Sequence, residues 1–140
     1  MAMVAPLFLT VLLGMSKASR LLDVQSQLAV AAREGARLAA MDRDGLLQNG
    51  QSTNAKITQD IQSFLTANGL PGDEAEVHIV DPDDHTTVFD LDDAANNLEL
   101  FELRIELPFA AISPPIAGVP DDLSFVSRIV FRNARATIVQ

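Results

Sequence analysis

The chain has no cysteine, tryptophan or tyrosine, and only two histidines. Without cysteine there is no disulfide framework, no thiolate zinc site and no cysteine nucleophile. The absence leaves the cellular compartment open. Without tryptophan or tyrosine the chain cannot build the aromatic belt that often marks a membrane interface. Two histidines, with no G-x-S-x-G elbow and no glycine-rich phosphate loop, leave no recognisable catalytic machinery. No enzymatic activity, small-molecule substrate or cofactor is therefore expected. Basic residues are also scarce, with 10 Lys and Arg against 19 Asp and Glu and a net charge of −9. Nucleic-acid binders need a basic face, so that partner class is excluded as well.

What is present is concentrated at the start. Met1 to Ser16 carries no charge at all (MAMVAPLFLTVLLGMS) and passes without a break into KASRLLDVQSQLAVAAREGARLAAM, ending at Met41. The second part is rich in helix formers. Its apolar and small residues Leu21, Val24, Leu28, Ala31, Gly35 and Leu38 recur at three-four spacing and draw one stripe along a helix. Gly35 alone weakens the helical pattern, and Pro6 falls in the first turns, where a missing N–H costs least. A helix from Ala5 to Met41 would be about 55 Å long. Its first half suits lipid and its second half one partner surface. The apolar run overlaps the core of a secretory signal, but no cleavage-like break interrupts it. It is slightly short of the roughly 17 to 25 residues of a spanning helix, so further residues are expected before Met1. Charge divides at the same place. Residues 1–43 carry five basic and three acidic side chains, which leaves −11 for the remainder. The organisation read here is an anchor and spine helix over 1–43 and an acidic α+β domain over 44–140.

Downstream, Asp42 to Ser52 reads as a loop. Ser52 or Thr53 caps a second helix whose apolar face is Ile57, Ile61, Phe64 and Leu65, with Asn68-Gly69 and Pro71 ending it. The period then changes to two. Val77 and Ile79 mark a first strand, and a few extended residues fall around Val88 to Leu91. Phe101, Leu103, Ile105 and Leu107 mark the clearest strand, half buried and half wet, closed by Pro108. Ala110 to Pro120 is a proline-rich loop. Leu123, Phe125, Ser127, Ile129 and Phe131 form a last strand running towards Thr137 and Val139. A sheet with one apolar face needs a cover, which the stripe of the long helix and the Ile57 helix can supply. The fold class is α+β: a long N-terminal helix and a short one on an antiparallel sheet of about three to four strands.

Three polar groups invite a functional reading. His78, Asp81, Asp83, Asp84 and His85 lie within eight positions, and Asp90, Asp92, Asp93 and Asn96 follow. Neither group has the ligand spacing of a zinc site or an EF-hand, so solvated turns are the plainer reading and no metal is expected. Arg33, Glu34 and Arg37 read equally as a solvated helix face with a Glu34–Arg37 pair or as a docking face for acidic neighbours.

MAMVAPLFLTVLLG at 1–14, with Pro6 and Gly14, and AAREGAR at 31–37 together resemble the TadE-like minor pseudopilins of the tight-adherence (Flp) pilus, a branch of the type IV pilin-like proteins. Leu107-Pro108-Phe109 and Phe131-Arg132 add to the likeness. The resemblance implies a pilin-like fold and a non-enzymatic role in pilus assembly and cell adhesion. It implies a single-pass protein of the cytoplasmic membrane with its C-terminal domain outside, although Lys17 and Arg20 alone would place that domain inside. The implied partners are the lipid bilayer, other pilins and pseudopilins, and the assembly platform. Membrane anchoring and helix packing would fall to Ala2, Ala5, Pro6, Leu9, Leu13 and Gly14, since small residues allow close helix contact in lipid. The family motif on the spine is Ala31, Ala32, Arg33, Glu34, Gly35, Ala36 and Arg37. The basic leader, Gly and Glu of the family would lie upstream of Met1, so either the true start is upstream or this copy is not processed. A membrane-anchored binding module that takes calcium at Asp81–Asp93 is the alternative function.

Overall fold

The computed structural model describes residues 3–41, 50–113 and 120–133, apart from the side chain of Lys17. Helix α1 runs over Val4–Ala40, α2 over Thr53–Ala67, and three strands follow: β1 over Glu76–Val80, β2 over Leu100–Pro108 and β3 over Ser124–Arg132. The strands form one antiparallel sheet in the order β1-β2-β3. The expected α+β architecture is present. The proposed strand continuation at Thr137 and Val139, and most of the Asp42–Ser52 loop, lie outside the described residues.

Register decides which face of the sheet meets the helices. Val77 and Ile79 of β1 stand opposite Ile105 and Leu103 of β2, which stand opposite Ser127 and Ile129 of β3. Side chains alternate along a strand, so this row forms one face. Leu103, Ile105 and Leu107 are completely buried there, together with Phe101. The second half of α1 and the face of α2 close over it through Val24, Leu28, Ile57, Ile61 and Leu65. Gln25 ties α1 to the free edge of β3, its Nε2 donating to the Val126 carbonyl at 3.1 Å.

The connections explain how the two helices and three strands hold together. Ser52 caps α2 by accepting from the Ala55 N–H at 3.2 Å. A second cap comes from far along the chain, where Asp92 accepts from the Thr53 N–H at 2.7 Å and from its hydroxyl. A carboxylate there also complements the positive end of the helix dipole. Asn54 clamps the same segment, donating to the Phe89 carbonyl at 2.7 Å and accepting from the Leu91 N–H at 3.1 Å. Val88 bridges to Val80, and Phe89 and Leu91 are buried; the extended stretch expected at Val88 to Leu91 is therefore a docked flap beside β1. Gly69, at φ +83°, supplies the left-handed turn after α2.

Two expectations need correction. The second face of β2 is not wet: Glu102 is only 5% exposed, and Arg104 and Glu106 are half-buried. The turn after β1 lays His85 against Glu102, and the neighbouring strands crowd the rest. Among the described residues, no helix is long and apolar enough to cross a membrane. The charge-free part of α1 ends at Ser16. From Val4 it rises only about 20 Å, whereas a bilayer core is about 30 Å thick.

Candidate functional site: the two halves of the long helix

The helix α1 changes environment at Leu21. From Met3 to Arg20 every described side chain is exposed, and from Leu21 onward the stripe enters the core. The apolar side chains of the first half point to all sides, with Leu7 69%, Phe8 65% and Leu13 57% exposed. A helix apolar all round is built to be surrounded, and a contiguous apolar surface of this kind marks an interaction site. Its polar groups are tucked away locally. The Thr10 hydroxyl donates back to the Pro6 and Leu7 carbonyls at 2.9 and 2.8 Å, so it asks nothing of the surroundings. Pro6 is the third residue of α1, where the backbone N–H has no intrahelical acceptor.

Of the proposed anchor residues, Ala2 lies outside the described residues. Ala5, Pro6, Leu9, Leu13 and Gly14 are all exposed on the arm, and a Cβ built on Gly14 would meet nothing within 4 Å. The fold brings none of these five against the body of the protein.

The motif at 31–37 divides by face. Ala31, Ala32, Gly35 and Ala36 are buried, whereas Arg33, Glu34 and Arg37 are exposed. At Gly35 the helix α1 presses close on its neighbours. A Cβ there would lie 2.5 Å from Ile61 Cδ1 and 3.0 Å from Leu103 Cδ2. The residue that looks weakest for helix formation is thus the one that lets α1, α2 and β2 meet. Ala32, Ala36 and Ala39, which the three-four stripe omits, are buried too, so the contact face is wider than the stripe. Glu34 and Arg37 approach to 3.7 Å on the exposed side, an i,i+3 pair worth a few tenths of a kcal/mol (~0.2–0.5).

The acidic turns are occupied by their own backbone. Asp81 accepts from the N–H groups of Asp83 and Asp84, Asp93 from that of Ala95, and Asp90 from that of Asp92. Asp84 accepts from the hydroxyls of Thr86 and Thr87, each at 2.6 Å, and from the Thr86 N–H. Those hydrogen bonds to the charged form hold its carboxyl well below the ordinary 3.8, at about 2.

The two histidines take different carboxylates. His85 Nδ1 lies 3.3 Å from Glu102 Oε2, and His78 Nε2 lies 3.5 Å from Glu76 Oε2. His78 does not share a site with Asp81 to His85. It joins Glu76 and Glu106, with one ligand atom of each within 4.8 Å of the others. Sequence reasoning missed this group because its members come from two strands and meet only through register. The usable signal was the E-x-H pattern in one strand and R-x-E in another.

No curated protein and no solved structure matches this chain. Residues 1–37 match the family model described as TadE-like protein, which bears out the resemblance over the exposed arm and the buried Gly35 contact.

Proposed function

We propose that the chain is a structural, non-enzymatic component of a tight-adherence (Flp) type pilus, a TadE-like minor pseudopilin. In this reading residues 1–43 form the anchor and spine, and residues 44–140 form a domain outside the cytoplasmic membrane. The observation that carries it is the exposed apolar arm, which lies within the segment matching the TadE-like family. In this reading the arm packs with the apolar helices of other pilins and of the assembly platform in the bilayer. Ala5 and Gly14 let those helices approach closely, and van der Waals packing between small residues drives such contacts in lipid. The exposed charges of Arg33, Glu34 and Arg37 are available to set register against neighbouring subunits.

Gly14→Leu tests this cleanly, because the space around Gly14 is open in the free protein. In cells carrying the pilus machinery, the variant should fold and accumulate normally but co-purify less with the assembly platform. Undiminished co-purification would overturn the helix-packing role.

A further inference from the structure

On the face of the sheet turned away from the helices, Glu76 of β1 stands directly opposite Glu106 of β2. Like charges paired across a ladder repel and destabilise the sheet. His78, two residues along β1, is on the same face, with Nε2 3.5 Å from Glu76 Oε2. One ligand atom from each of the three lies within 4.8 Å of the others. We propose that Glu76, His78 and Glu106 form a binding site for a divalent transition-metal ion of the zinc class.

The donor set fits that class. One imidazole nitrogen and two carboxylate oxygens make a three-ligand site with a fourth position open to solvent. Calcium and magnesium favour six or more oxygen donors, and an imidazole selects against them. Ligand bonds of about 2.0–2.2 Å in a tetrahedral site set donors roughly 3.3 Å apart, so the three side chains must draw together by up to about 1.5 Å. They can do so, since the Glu76 side chain is 70% exposed and that of His78 is 38% exposed. Their backbones are held by the ladder, which provides the rigid support a metal site requires. The acidic turns at Asp81 to Asp93 are poorer candidates, because their carboxylates already cap local N–H groups.

Arg104 competes for the same carboxylate, and its surroundings show how an ion could win. Its Nε lies 3.4 Å from Glu106 Oε1, yet that nitrogen is buried without a hydrogen-bond partner. Two residues back along β2, on the same face, Glu102 Oε1 is likewise buried without a partner. An ion on Glu106 frees the Arg104 guanidinium to turn towards Glu102, which satisfies both groups.

The test is calorimetric titration of the metal-stripped full-length chain in detergent with zinc chloride, and in parallel with calcium chloride. Zinc should bind at about one equivalent, with calcium at the same concentration giving no comparable heat. His78→Ala, checked for folding by circular dichroism, should weaken zinc binding by at least about ten-fold, and His85→Ala should leave it unchanged. Absence of zinc binding would overturn the proposal. So would binding retained in His78→Ala or lost in His85→Ala, which would move the ion to the turn.

Discussion

The two halves of α1 are one unbroken helix of 37 residues in two opposite situations. In the first half, Gly14 has open space where a side chain would be; in the second, a side chain on Gly35 would collide with Ile61 and Leu103. Leu9 is 59% exposed and Leu28 not at all. Identical residue types on the same secondary structure thus carry different meanings. In the second half the apolar and small residues from Val24 to Ala39 that face inward are already satisfied by α2 and the sheet, and only Leu22 and Val30 among the large ones stay exposed. In the first half they are unsatisfied within the chain, and this is the physical content of calling the arm a site. The boundary falls at Leu21, the first described side chain of the helix that is not exposed, and four residues on Gln25 reaches the Val126 carbonyl of β3.

The largest expected effect comes from truncating matched leucines. Leu28→Ala should lower the unfolding free energy by about 2–5 kcal/mol through lost transfer and cavity terms. Leu9→Ala should change it by no more than about 0.5 kcal/mol. Urea denaturation of both variants decides the matter, and a comparable loss at Leu9 would mean that the arm is covered in solution, breaking the comparison. Next come the two glycines. Gly35→Leu overfills a closed contact and should cost about 1–3 kcal/mol. Gly14→Leu should leave stability unchanged or raise it by up to about 1 kcal/mol through helix propensity. Thermal melts that ranked the two alike would show that the Gly35 contact relaxes freely.

The smallest effect lies off the helix and separates it from the turns. Because the Asp84 carboxyl sits at about 2 instead of 3.8, the unfolded chain takes up its proton first as pH falls. Its contribution to the 81–87 turn is complete above 3.8 and is lost as pH passes down through about 2. Replacing Thr86 by Ala and Thr87 by Val should move its titration back towards 3.8. Carboxyl carbon chemical shifts followed against pH report this directly, and an unmoved titration would contradict the role of the two hydroxyls.

Much of the fold is legible in the sequence. The three-four stripe from Leu21 to Leu38, the Ser52 cap, the Asn68-Gly69 stop and the alternation through β2 are local signals, and local backbone geometry obeys them. What escaped was set by contacts distant in sequence. Asp92 caps a helix 39 positions earlier. Asn133, completely buried, donates to the Leu91 and Asn96 carbonyls and so pins the loop before β2. The outer face of β2 looked wet because Glu102, Arg104 and Glu106 are charged, but charge does not report what lies across the strand.

The candidate sites divide in the same way. The apolar arm could be read from composition, because a charge-free run of that length offers no polar face to water. By itself the sequence determined which stretches carry helix and strand periods, and that the first half of α1 has no polar face. Tertiary structure alone decided how closely Ile61 and Leu103 press on Gly35 and that the helix is bare up to Leu21. It also decided that Glu76, His78 and Glu106 share one face. Those outcomes depend on strand register and on how closely two backbones approach, which residues far apart in the chain settle together.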